Sequence, residues 1–189
     1  MPHNIILVGY RGTGKTTVGR LLAQRLGRAF ADVDDAIEAA AGKSVADIFA
    51  AESETGFRNR EAAALTELCA RSEHVIATGG GAILRAANRR AMKASGFVVW
   101  LTAVPEIIWE RMLADPTTLA RRPNLTPGGG EAEVRALLAA RDARYRAVAD
   151  FAVASDTVSP DGVADAIITA WTVSRGSETS ESPATSGGQ

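Results

Sequence analysis

The sequence predicts an α/β fold, a parallel sheet covered on both faces by helices. Three observations point there. Short apolar runs of strand length alternate with stretches of helical spacing along most of the chain, two of those runs end directly in glycine clusters, and the connections are long enough to hold the helix that a parallel crossover requires. At 189 residues the chain suits one core better than two.

The elements follow in order. Residues 4–9 carry the run IILV and read as a buried strand ending on glycine, and Lys15–Leu26 then has helical spacing through Val18, Leu21, Leu22 and Leu26. Ala29–Asp32 reads as a second strand, with helical material over 34–41. Ser44 has Asp47 three positions on and then Ile48 and Phe49, the pattern of an N-cap opening a helix. The alanine- and leucine-rich stretch 52–71 is helical. His74–Ala77 (HVIA) is a strand that runs into Thr78 and three glycines, and 97–101 (FVVWL) is another strand. Pro105 suits a first helical turn before Ile107, Ile108 and Leu113. Over 114–130 the pattern dissolves into ADPTTLARRPNLTPGGG, with three prolines and three closing glycines, which predicts a mobile loop. Residues 131–148 resume a helix, Phe151–Ala154 (FAVA) is a last strand, and 159–172 is a closing helix with Pro160 at its start. The polar stretch 174–189 lacks apolar anchors and is expected to be a disordered tail, leaving a domain over 1–173.

A formal net charge of -1 gives no whole-molecule basic field, so neither nucleic acid nor a membrane surface is an expected partner. Cys69 is the single cysteine, which excludes an internal disulfide, fits a reducing compartment and reads as a small buried filler. The opening MPHNIILVGY lacks a signal-peptide pattern and no run reaches about 18 apolar residues, so a cytoplasmic location is expected.

The segment GYRGTGKT fits G-x-x-x-x-G-K-[ST] between a buried strand and a helix. Its glycines let successive N–H groups converge on phosphate oxygens, Lys15 reaches the outer phosphates of a nucleotide such as ATP, and the Thr16 hydroxyl suits Mg2+. Asp32 and Asp34 lie two apart at a strand end. Asp32 is placed to hold a metal-bound water and Asp34 to orient a substrate hydroxyl and take its proton, although an aspartate before a helix also serves as an N-cap. Arg58 offers a fork for a carboxylate or phosphate, or a helical ion pair with Glu61 three residues on. Gly79, Gly80 and Gly81 make room for close backbone approach. Arg121 and Arg122, before Pro123, could swing over a bound triphosphate or form a solvated basic turn. Arg141 and Tyr145 share a helix face.

Together these residues resemble shikimate kinase, from Ile5 to about Trp171, most closely its type II bacterial form. The resemblance runs through RGTGKTTVG, DVD at 32–34, GFRNRE around Arg58, VIATGGGAIL, RRPNLT and RDARY at Arg141. It implies a phosphate-loop kinase fold with five parallel strands in the order 2-3-1-4-5. It also implies transfer of the ATP γ-phosphoryl group to the 3-hydroxyl of shikimate, the fifth step toward chorismate, by a monomer. On that pattern the nucleotide falls to Gly12, Thr13, Gly14, Lys15, Thr16, Thr17, Arg111 and the lid arginine Arg122. Shikimate falls to Asp34, Arg58, Gly79, Gly80, Gly81 and Arg141, and Mg2+ to Thr16 with Asp32. Lys15, Asp34 and Arg122 would carry the chemistry. A gluconate or nucleoside monophosphate kinase of the same fold is the nearest alternative. A GTP-dependent switch is a more distant one, since no N-K-x-D signature occurs.

Overall fold

In the computed structural model, which describes residues 4–115 and 130–179, β1 (Asn4–Val8) is buried at every position and forms the centre of a five-stranded sheet. Its alternation divides the core. Ile5 and Leu7 face one side, where α1 (Lys15–Leu26) supplies Val18 and Leu22, and α7 (Pro160–Thr179) supplies Val163, Ile167 and Trp171. Ile6 and Val8 face the other. There they meet Val33 and Ile37 of α2 (Val33–Ala41), Phe57 and Leu65 of α3 (Val45–Cys69), Met92 of α4 (Ala86–Ser95) and Tyr145 of α6 (Gly130–Val148). A strand buried on both faces reads as an unbroken apolar run, which is why IILV shows no alternation in sequence.

The other strands are β2 (Ala29–Asp32), β3 (His74–Ala77), β4 (Gly96–Thr102) and β5 (Phe151–Ala154), all parallel, in the order β2-β3-β1-β4-β5. Ile6 pairs with Ile76 on one side and Val98 on the other. The order and the three layers agree with the expectation. The strand ends after β1, β2 and β3 therefore open side by side, at the edge where ligands bind in such sheets.

Four local features depart from the sequence reading. α4 has no counterpart in it: AANRRAMKAS buries only Asn88 and Met92 and is polar on the whole. The two helical stretches around 44–71 form one element, α3, bent at Ser53, whose φ of 63° and ψ of 178° break the helical ladder. Ser44 does cap it, accepting the Asp47 N–H at 3.1 Å. α7 continues to Thr179, beyond the boundary placed at 173. Cys69 is half-buried rather than fully buried, at the edge of the core that holds Phe57. Burial pushes its thiol pKa up. Among the described residues no helix is long and apolar enough to cross a membrane.

Candidate active site

The loop between β1 and α1 is built for close approach. Gly9 has a φ of 145°, and a Cβ there would lie 2.5 Å from the Leu101 carbonyl oxygen, so a side chain is excluded by both torsion and space. Gly12 and Gly14 also hold positive φ. The Thr13 hydroxyl donates to the Tyr10 carbonyl at 2.8 Å, which staples the loop. Lys15 is buried, and its Nζ donates to the same carbonyl at 2.6 Å. The loop thus holds its lysine over its own curl, beside the N-terminus of α1, where convergent N–H groups and the helix dipole favour an anion.

Asp32 ends β2 and caps α2, its Oδ1 accepting the Asp34 N–H at 3.0 Å, so the N-cap alternative is realised for this residue. Its other oxygen accepts from the Thr16 hydroxyl, also at 3.0 Å. One carboxylate therefore spans two elements. Burial holds the Asp32 pKa above the ordinary carboxylate value, and the Asp34 charge adds to that, while the Asp34 N–H and Thr16 work against it. A hydroxyl and a carboxylate oxygen in contact at a phosphate loop are hard donors that fit Mg2+, which keeps waters and shares phosphate oxygens instead of filling a protein cage. Among the described residues no three His, Cys, Asp or Glu side chains form such a cage.

The glycine triplet after β3 sits where two buried arginines converge. Thr78 ties the turn to β1, donating through Oγ1 to the Leu7 carbonyl at 3.0 Å. The Gly80 carbonyl accepts from Arg141 at 3.3 Å and from the Tyr145 hydroxyl at 2.7 Å, both on α6. A Cβ on Gly81 would lie 2.4 Å from both terminal nitrogens of Arg58, so the backbone of Gly81 fills the space against the guanidinium. Arg58 donates to Glu61, whose side chain is fully buried, at 2.8 Å, and to Glu54 at 3.1 Å. Arg58 therefore makes the helical ion pair and also packs against the triplet. Burial works to lower its pKa, and the two glutamates outweigh burial and raise it, so its charge is permanent.

A cleft of about 320 Å3 joins these parts. Gly12, Gly14, Lys15, Thr16, Thr17, Asp32, Asp34, Gly79, Gly80 and Arg111 line it, as do Arg11, Thr78 and Asp115. Arg58, Gly81 and Arg141 are not among its lining residues; they stand behind the triplet, Arg141 on the Gly80 carbonyl and Arg58 against Gly81. Arg111 of α5 (Pro105–Ala114) donates to the Gly12 carbonyl at 3.3 Å and to the Ser155 carbonyl at 2.6 Å, which ties it between the phosphate loop and the end of β5. Arg121 and Arg122 lie outside the described residues, as does 116–129 of the expected lid. The sequence reading missed Ser155, Asp115 and the pairing of Arg11 with Glu133 at 3.3 Å. Only Arg11 carried a visible signal, a charged residue inside the glycine loop.

A model of the shikimate kinase family matches residues 11–172. The chain is 50% identical over 152 residues to a shikimate kinase of Rhodopirellula baltica, covering 80% of this chain and 81% of that one. It is 52% identical over 153 residues to a shikimate kinase of Symbiobacterium thermophilum, covering 81% and 87%. Among solved structures it resembles the shikimate kinase from Acinetobacter baumannii in complex with shikimate, with a TM-score of 0.83 and 42% identity over 88% of this chain and 91% of that one. A gluconokinase from Sinorhizobium meliloti, at 18% identity and a TM-score of 0.65 over 96% of this chain and 98% of that one, shares the fold.

Proposed function

The chain belongs to the shikimate kinase family, and on that premise we propose how its residues divide the transfer of the ATP γ-phosphoryl group to the 3-hydroxyl of shikimate. The observation that carries the division is the single cleft whose wall includes Lys15 and Thr16 of the phosphate loop, Asp34 after β2 and Gly80 of the triplet. Lys15 and the N–H groups of 12–17 bind the phosphates. Arg111, bonded to the Gly12 carbonyl, is carried over from the family pattern as the residue that packs against the adenine ring. Arg58 and Arg141 supply two permanent charges for the shikimate carboxylate, and the Gly80 carbonyl is already engaged, so the triplet offers N–H groups to the acceptor.

Asp34 takes the proton of the 3-hydroxyl as that oxygen forms its bond to Pγ and the bond from Pγ to the ADP oxygen breaks. Such a transfer passes through a loose transition state, so position and charge supply most of the acceleration. Mg2+ would be held by Thr16 and, through water, by Asp32, and when bound it neutralises phosphate charge. Arg122 is carried over from the family pattern as the lid cation. The proposal includes a monomeric protein acting in the cytoplasm on small molecules, in keeping with its net charge of -1.

A coupled assay of ADP release with ATP, Mg2+ and shikimate, run beside gluconate and nucleoside monophosphates, tests the reading. Turnover with shikimate alone is the expected result. Silence with shikimate, or faster turnover with gluconate, would remove it.

A further inference from the structure

Arg11 stands in the phosphate loop where a side chain can reach both halves of the cleft. Its backbone nitrogen lies 3.4 Å from where a Gly80 Cβ would stand, so the residue sits at the seam between the phosphate loop and the glycine triplet. Its side chain lines the cleft that Lys15 and Asp34 also line. The guanidinium is held from outside the loop. NH2 donates to Glu133 Oε1 at 3.3 Å, and the Glu133 side chain is 1% exposed.

Glu133 belongs to the first turn of α6, where a carboxylate is favoured by the helix dipole, but the dipole does not require burial. Glu131, in the same turn, satisfies that preference nearer the surface and pairs with Arg135. Glu133 is turned inward. A buried carboxylate loses hydration and persists when a cation compensates it, and Arg11 is a cation that meets it. The same helix packs Val134 against Tyr10, and the Arg11 and Arg141 guanidinium carbons each stand 5.7 Å from the Tyr10 ring centre. α6 therefore grips loop residues 10 and 11 near its start and, further along, the Gly80 carbonyl through Arg141 and Tyr145.

We propose that Arg11 is a further cation acting on the phosphoryl group in transit, and that Glu133 is the positioning residue that aims it. A long side chain on a glycine-rich loop has many rotamers, and a fork held by a buried carboxylate is restricted to few of them while the residue still lines the cleft. Charge on the phosphoryl oxygens is then met from the loop side as well as by Lys15. The inference rests on the phosphoryl transfer proposed above. Wild-type turnover tests that transfer, whereas the ratio of variant to wild type tests the inference.

The experiment is a double-mutant cycle on the full chain with steady-state kinetics and melting curves. Arg11→Ala should lower kcat about a hundredfold, with KM for ATP and for shikimate each within about threefold of wild type. Glu133→Gln keeps the shape and one acceptor, so it should lower kcat about tenfold, since misplacement of a catalytic group alone is costly. The double variant should be no slower than Arg11→Ala, because Glu133 acts through Arg11. Should Arg11→Ala not fold, Arg11→Lys keeps the charge without the fork and enters the same cycle. Losses that multiply in full, or a rise in the KM for shikimate at unchanged kcat, would overturn the proposal.

Discussion

Arg58 is costly to bury and is retained because Glu61 and Glu54 compensate it and Gly81 leaves it space. That arrangement makes a sharp prediction at the residue scale. On the role proposed for Arg58, Arg58→Ala removes a charge-assisted contact to the acceptor and should raise the KM for shikimate by roughly two orders of magnitude, a loss of about 2–3 kcal/mol. The KM for ATP should hardly move, since neither Glu54 nor Glu61 belongs to the phosphate loop. Gly81→Ala should do the same without touching the arginine, because the new methyl would displace both terminal nitrogens. Separate titrations of the two substrates check both variants, and an equal loss of ATP affinity would contradict the role given to Arg58. Much of this site was legible: GYRGTGKT, DVD and the triplet are contiguous, and their chemistry follows from residue type. What could not be read was pairing across the chain. Glu133 meets Arg11 over a separation of 122 residues and Arg111 meets Ser155 over 44, and no local pattern records such contacts.

α3 shows what happens when a helical element carries a local conflict. Ser53 sits at φ 63° and ψ 178°, a region that glycine enters freely and serine does not, at a strain of about 1–3 kcal/mol. The bend is held from both sides. Arg60 donates twice to Glu52 across it, at 2.8 Å each, and a Cβ on Gly56 would lie 2.5 Å from the Glu52 Cβ, so Gly56 permits the close approach. Ser53→Gly should relieve the torsion and, after glycine's entropic cost of about 0.5–1 kcal/mol, leave a net gain of about 1 kcal/mol. For a domain of this size that raises Tm by about 2–4 °C. A calorimetric scan at neutral pH is the check, and a lower Tm would mean that serine makes contacts there worth more than the strain. Helix starts were legible at Ser44 and Pro105 because caps are local chemistry. The bend was not, since it depends on residues 52, 56 and 60 agreeing on one geometry, and α4 was missed because its sequence is polar overall and buries only Asn88 and Met92.

At the scale of the molecule, the class of fold followed from alternating strands and helices. The strand order came with the family resemblance, since order is set by long-range pairing that periodicity does not encode. The far end of α7 bears on how much chain the fold needs. Trp171 closes the core formed by Val18, Leu22 and Ile167 and is 9% exposed, whereas Val173 is 65% exposed. Arg28 and Arg175 stand 4.4 and 4.9 Å from the Trp171 ring centre. The Arg28 pKa is lowered, first by burial and further by Arg175, with Glu73 opposing, so the two cations share one ring at mutual expense. Among the described residues, removing 174–189 would cost the Arg175 cation–π contact, about 0.5–1 kcal/mol, and the bond from the Ser174 hydroxyl to the Trp171 carbonyl, and would relieve repulsion at Arg28. The chain over 1–173 should therefore keep kcat and both KM values and melt within about 3 °C of the full chain. Stopping at residue 170 instead removes Trp171 and uncovers the core beneath it, which should cost about 3–5 kcal/mol and lower Tm by roughly 10 °C or more. Melting curves of the two truncations beside the full chain separate the cases, and a collapse of the 1–173 form would move the domain boundary into the last turns of α7.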